Sequence, residues 1–336
     1  LALVEEMLLE PGWDAEEFEL LKRKQINQID QDAGDPGAIS RREAAKLRYP
    51  ADHIYNYLPY GTKEKLESVS LEDLKSFYQA NYSPVRARLN IVGDVNAQAI
   101  RIPTDGIAKN WNTEGTEVVS LPQGNPVEQS VIYFYDVPGA KQSVLRIQRP
   151  SLSALDPDYP LANAANFLLG GIYTSQLMTE LRVNRGYTYG IRSRFSGAKD
   201  RGNFTIGSSV RSNVTLESMD LIRDIVSNFG PGFTGEDLQV LKGAVLRGQA
   251  LKNETLSAKL GVVQNISYFG YPDDYQARNA ARVEAMTLDQ FREIATKYLR
   301  ADAMQYIVVG DAESQAGRLG ELGFGEPVML EPVSGR

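Results

Sequence analysis

The sequence predicts an α+β protein of two homologous units, each a mostly antiparallel sheet covered by helices, and three observations carry that prediction. First, a helix-rich segment recurs. Leu71-Glu72-Asp73-Leu74 with Leu89-Asn90-Ile91-Val92-Gly93-Asp94 returns as Leu288-Asp289-Gln290-Phe291 with Tyr306-Ile307-Val308-Val309-Gly310-Asp311, 217 positions later. Upstream, Glu17-Phe18 and Leu21-Lys22 match Asp237-Leu238 and Leu241-Lys242 at an offset of 220, so one loop differs by three residues. Second, residues 127–214 form a strand-rich front half, with alternating apolar and polar side chains over Val127–Gln148 and a hairpin over Tyr187–Arg211, unlike the helical period of 215–325. Third, 336 residues suffice for two or three domains, each with its own core.

The elements follow in order. Phe18, Leu21 and Ile29 recur at helical spacing, with Gln25 the exception, and a shorter helix starts at the Ser70 cap. A β-branched strand over Leu89–Val92 ends in Gly93-Asp94, read as a turn in which glycine takes positive φ. Residues 101–126, rich in Gly, Pro, Asn and Thr, read as an interdomain linker. Val127–Gln148 forms two strands around Pro138-Gly139, and residues 160–169 and 174–185 form two helices. Tyr187–Arg211 is a hairpin turning near Gly197–Gly202, and 215–229 is a helix with Leu216, Met219, Ile222 and Val226 on one face. The second copy, with its cap at Thr287, completes a unit over 127–325, and 326–336 is a tail. Residues 1–100 hold only the helical back half of the first unit. Its front half is expected before Leu1, which opens without Met on a helix already under way and reads as a fragment or processed form.

Composition excludes several chemistries. Thirty-six Lys and Arg against 43 Asp and Glu leave a charge of −7, so nucleic acid is a poor candidate. With no cysteine there is no thiolate zinc site, thiol catalysis or disulfide. No stretch approaches the 18 apolar residues of a membrane span. The single histidine, His53, rules out a two-imidazole zinc motif. It lies in a Pro-interrupted aromatic stretch with no nucleophile elbow elsewhere, so it reads as a packing or surface residue rather than a base. The acids Glu5-Glu6 and Asp14–Glu19 read as a solvated face or helix start, with an acid wall for basic peptides as the alternative.

The segment from Gly170 to Tyr189 carries the most chemistry. Thr174 or Ser175 caps a helix that buries Leu177 and Leu181 one turn apart. Gly186 ends the helix as a left-handed cap, and a strand follows. Gly170-Gly171 has no phosphate-cradling pattern and reads as a close-packing device. Arg182 in the last helical turn and Tyr189 at the strand start are both donors, suited to a peptide carbonyl or its oxyanion. On spacing alone, an equally simple reading has Arg182 neutralising the helix C-terminus and Tyr189 as a sheet aromatic.

Gly170-Gly171, Ser175-Gln176-Leu177, Leu181-Arg182, Arg185-Gly186 and Tyr189, seven residues past Arg182, together resemble a signature of the pitrilysin/insulinase family of zinc metallopeptidases. Phe77-Tyr78, Tyr82-Ser83-Pro84 and Gly93-Asp94 resemble the end of that family's first domain, so the likeness spans nearly the whole chain. The resemblance implies paired α+β units and assigns Arg182 and Tyr189 to substrate carbonyl and oxyanion binding. Active members also carry an inverted His-x-x-Glu-His, in which two His and a later Glu hold zinc. That motif is absent here. The helix beginning at Phe18-Glu19 resembles the one that supplies the later Glu, and Asn27 and Gln28, neutral amides, stand where it is sought.

The family includes two-chain peptidases in which one subunit carries zinc and a motif-less subunit carries the Arg and Tyr pair. The resemblance places this chain with the second kind. It would hold no cofactor, bind peptide substrate, and work in a heterodimer with a homologous subunit bearing His-x-x-Glu-His and zinc. Two rival readings are a structural subunit of a larger assembly, with Arg182 and Tyr189 as relics, and a fragment of a single-chain zinc peptidase. A bacterial periplasmic or envelope setting is what the family implies.

Overall fold

In the computed structural model, which describes residues 2–57, 59–111, 124–251 and 253–331, the alternating segments build one six-stranded sheet. Its strands are β1 (Val131–Asp136), β2 (Gln142–Ser151), β3 (Thr188–Gly197), β4 (Gly202–Arg211), β5 (Gln305–Gly310) and β6 (Val328–Met329). They run β3-β4-β2-β5-β1-β6. The β3-β4, β4-β2 and β2-β5 pairs are antiparallel, while β1 pairs in parallel with β5 and with β6. β6 lies inside the segment expected as a tail. At the β1–β2 turn Gly139 takes φ +74° and its amide donates to Asp311 Oδ1 at 2.8 Å.

The helices are α1 (Ala2–Leu9), α2 (Ala15–Asp32), α3 (Pro36–Arg48), α4 (Lys63–Ser68), α5 (Leu71–Asn81), α6 (Ala97–Asn110) and α7 (Tyr159–Asn166). They continue as α8 (Gln176–Met178), α9 (Thr215–Phe229), α10 (Gly235–Leu251), α11 (Leu256–Phe269), α12 (Tyr275–Ala285), α13 (Leu288–Tyr298) and α14 (Ala312–Gln315). The repeat is visible in their boundaries. α2 and α10 start 220 residues apart, as do α3 and α11, and α5 and α13 share both boundaries at an offset of 217. The expected caps are present: Ser70 with Asp73 and Thr287 with Gln290 form capping boxes.

Among the described residues the chain divides into two units, one from 1–31, 57–121 and 252–272, the other from 32–56, 122–251 and 273–336. The equivalent helices α3 and α11 are thus exchanged, each belonging to the unit of the other copy. In the second unit one face of the sheet packs Ile132, Phe134, Leu145, Ile147, Phe204, Ile206 and Val308 against α7, α9 and α13. Leu216, Met219, Ile222 and Val226 of α9 are all buried, as their spacing predicts. α3 covers the other face over β2 and β5. Its fit there is polar as well as apolar: Gln148 Nε2 donates to Ala44 O at 2.7 Å and to Gln305 Oε1 at 2.9 Å, and Gln305 Nε2 donates to Leu47 O at 2.9 Å. Covered on both sides, β5 is buried at every position.

The first unit is helical among its described residues. Residues 89–92, expected as a strand, pair with no strand among the described residues. The linker reading of 101–126 also needs correction. Its first ten residues belong to α6, where Ile100, Thr104, Ile107 and Trp111 fall on one face at helical spacing despite Pro103, with Trp111 buried. Residues 112–123 lie outside the described residues. Neither Gly93 nor Gly310 takes positive φ. Gly310 instead ends β5 where a Cβ would stand 2.8 Å from Ser143 Oγ, so close approach, not turn geometry, requires glycine there.

Candidate functional site

The two helices flanking the double glycine both widen into π-turns, Phe167–Gly171 and Thr179–Asn184, a distortion common at functional sites. Gly170 allows the first to press onto β3, since a Cβ there would lie 2.2 Å from Ser193 Oγ and 2.7 Å from Ser193 N. Asn166 fastens the same contact, its Nδ2 donating to Ser193 O at 2.9 Å and its Oδ1 accepting from Ser193 Oγ at 2.5 Å. Leu177 and Leu181 are fully buried beneath the second turn. Ser175 occupies the N-cap position but does not cap with its side chain; its hydroxyl is buried without a hydrogen-bond partner among the described residues.

The π-turn carrying Arg182 closes on itself through Arg185 N to Glu180 O at 3.2 Å. Gly186 then turns left-handed at φ +60° as expected, with its amide donating to Arg182 O at 3.1 Å and that of Tyr187 to Leu181 O at 2.8 Å. The chain enters β3 through a bulge. Thr188 faces Val210 and Ile191 faces Ser208, so Tyr189 and Gly190 together oppose Ser209. Hydroxyls hold this irregularity: Thr188 Oγ1 donates to Ser209 O at 2.7 Å and accepts from Gly190 N at 3.0 Å, while Ser208 Oγ donates to Gly190 O at 3.0 Å. Bulges of this kind re-aim a side chain.

The result is a three-residue stack. The Arg182 guanidinium carbon lies 4.6 Å from the Tyr189 ring centroid and 5.0 Å from that of Tyr173, within cation–π range of both rings. Tyr189 is 86% exposed and Tyr173 53%. Neither the guanidinium nor the Tyr189 hydroxyl has a hydrogen bond or ion pair among the described residues. The two donor groups thus lie side by side with their hydrogen-bonding capacity unused among the described residues. Sequence reasoning brought out Arg182 and Tyr189 but missed Tyr173 and the bulge, although a glycine inside a strand, here Gly190, is a bulge signal.

The residues present do not fit zinc. His53 is buried, stacked on Tyr49 at 4.3 Å and Tyr55 at 5.2 Å, and its Nδ1 accepts from Tyr55 N at 3.1 Å. Asn27 and Gln28 lie exposed on α2. Among the described residues no group of three His, Cys, Asp or Glu converges on a metal position, and no helix is long and apolar enough to cross a membrane. Glu16, Glu17 and Glu19 are exposed at the start of α2, where the Asp14 carboxylate accepts from Glu17 N at 2.9 Å.

This fold and site define a class: a pitrilysin-like α+β domain with an arginine and a tyrosine side by side and, among the described residues, no group of metal ligands. Residues 68–244 match the Peptidase M16 inactive domain, and the chain belongs to that family. It is 23% identical over 320 residues to the non-peptidase homolog YmxG of Helicobacter pylori, an alignment covering 92% of this chain and 71% of that protein. It is 26% identical over 206 residues to the probable inactive metalloprotease YmfF of Bacillus subtilis, covering 60% of this chain and 46% of that one. The crystal structure of a peptidase M16 inactive domain from Pseudomonas fluorescens superposes with a TM-score of 0.83 at 22% identity, over 94% of this chain and 74% of that chain.

Proposed function

We propose that this chain is the non-catalytic, peptide-gripping subunit of a two-chain pitrilysin-type peptidase whose homologous partner carries His-x-x-Glu-His and the zinc. The observation that supports this reading is the pair of unspent donors, Arg182 and Tyr189, held in one stack by a π-turn and a bulge. In this role Tyr189 Oη and the Arg182 guanidinium donate to one carbonyl oxygen of the bound peptide. Their bonds shorten and strengthen as that oxygen gains charge. Donors positioned in advance act most strongly at that stage, and loss of one typically costs about 10²–10³ in rate. Tyr173, the second ring within cation–π distance of the guanidinium, helps to keep its donors in place.

The test begins with affinity capture of the native protein from its own cells and sequencing of what accompanies it. A partner bearing His-x-x-Glu-His supports the reading and supplies the complex. In that complex Tyr189→Phe and Arg182→Ala each lower peptide turnover about 10²-fold or more while the thermal midpoint of the chain holds. Unchanged turnover, or a partner without the motif, leaves a structural subunit as the better account.

A further inference from the structure

The second face of the sheet carries a charge pattern that the carbonyl grip does not use. α3 covers this face over β2 and β5, but it is open at Gly207 of β4, where nothing lies within 4 Å of the place a Cβ would take, while Asn203 and Thr205 further along β4 are buried. The register sets Arg146, Gly207 and Arg192 opposite one another across β2, β4 and β3, and sets Arg194 opposite Thr205 in the next row. Paired residues in such ladders share a face, so Arg146 and Arg192 flank a floor with no side chain. Arg192 and Arg194 are exposed and Arg146 is half-buried.

No carboxylate answers these charges. Arg41, Arg146, Arg192 and Arg194 form no ion pair among the described residues. Arg146 Nε donates only to Ser40 Oγ, at 3.2 Å, and Arg48 donates to Gln148 Oε1. The charges acting on Arg146 are those of Arg48, Arg41 and Arg194; burial first, then this repulsion, pulls it down to about 10, still fully charged at neutral pH. Other arginines of the same unit are matched, Arg201 with Asp200, Arg223 with Asp220 and Asp224, and Arg318 with Glu217. In a chain of net charge −7, Arg41, Arg48, Arg146, Arg192 and Arg194 gather on one side of the sheet with no acid in ion-pair distance among the described residues.

We propose that this open face binds the acidic side chains of an extended peptide, with Arg146 and Arg192 clasping one carboxylate above Gly207 and Arg194 taking the next. Guanidinium forks match carboxylates in two-bond geometry. Alternate side chains of an extended peptide lie roughly 7 Å apart, which is also the spacing of successive rows on this face. The bulge puts Tyr189 in the row beside Arg192, so the inference rests on the peptide-gripping reading and gives its substrate class: peptides acidic at alternate positions near the held carbonyl. The net negative charge of the chain disfavours a polyphosphate backbone as the occupant.

Fluorescence anisotropy on the full chain tests this with two labelled decapeptides, one with Glu at alternate positions and its Gln-for-Glu twin. The Glu peptide is expected to bind at least about tenfold tighter, with a steep loss in salt. Arg192→Gln with Arg194→Gln, both exposed positions that the fold does not need, should erase that preference and leave the Gln peptide unchanged. Equal affinity for the two peptides, or an unmoved preference in the double variant, overturns the proposal. So does displacement of the Glu peptide by a single-stranded oligonucleotide at concentrations below the peptide's own dissociation constant. Arg182→Ala separates the two readings: it should weaken both peptides equally. If it has no effect while the Glu preference persists, the carbonyl grip fails and the acidic face stands.

Discussion

Helices α5 and α13 each begin on a capping box and run for eleven residues, 217 positions apart, yet α13 buries Phe291, Ile294 and Ala295 while α5 buries nothing. The segments that follow diverge in the same sense. Gln305–Gly310 is a strand buried at every position, whereas residues 89–92, its sequence counterpart, pair with no strand among the described residues. Local interactions are therefore a property of the repeat, and burial is a property of the unit around it. A cap satisfies amides within its own turn; a strand needs neighbours to pair with.

Matched substitutions in the two copies can break or sharpen this contrast. The largest difference is expected for Phe291→Ala, which empties a fully buried site stacked on Phe233 at 3.6 Å and should cost about 3–5 kcal/mol in urea unfolding. Its counterpart Leu74→Ala, at a position 41% exposed, should cost under about 1 kcal/mol. Comparable losses would mean that α5 is as well packed as α13. Next, Gly310→Ala forces a Cβ to within 2.8 Å of Ser143 Oγ, a hydroxyl tied to buried Thr215 Oγ1 at 2.7 Å, and should cost about 1–3 kcal/mol. Gly93→Ala meets nothing within 4 Å and should leave the unfolding midpoint in place.

The caps should erase the contrast. Ser70→Ala and Thr287→Ala are each expected to lower hydrogen-exchange protection at their own helix start by about 1 kcal/mol, and a clear inequality would show that tertiary packing reaches even the cap. The smallest effect belongs to an ion pair that α13 has gained. Lys297 Nζ donates to Asp158 at 2.9 Å, where the matching position of α5 is Ala80. That hydrogen bond, more than Tyr298's, holds the Asp158 carboxyl below its usual range against the opposing effect of burial. A depressed acid contributes stability above its unfolded pKa and loses it as pH falls through the folded value. The gap in unfolding midpoint between the native chain and Lys297→Ala should thus be present at pH 7 and close toward pH 3.

Short-range chemistry was the legible part of the sequence. Caps at Ser70 and Thr287, the left-handed Gly186, the Pro138-Gly139 turn, the hairpin near 197–202 and the apolar stripe of α9 are all written within a few residues of where they act. Arg182 and Tyr189 were visible as a pair for the same reason. The π-turns, the bulge and Tyr173 were not, because each depends on how a helix end presses on β3 through Gly170 and Ser193. The arginine face was hidden for a further reason: Arg146, Arg192 and Arg48 come from three distant segments, and only the strand register assembles them. Loop-like composition also outweighed the Ile100, Ile107 and Trp111 stripe of α6 in the reading of 101–126.

The exchange of α3 and α11 bears on how such a chain is made. Leu47 accepts from Gln305, 258 residues later, so the second face of the sheet cannot close until residue 305 has left the ribosome. At about 5–20 residues per second, α3 waits on the order of 13–50 s with Ile39 and Ala44 uncovered. High contact order of this kind slows folding and prolongs exposure of apolar surface. A nascent chain stalled before residue 305 should therefore be held by chaperones, and release of β5 should be the event that frees it.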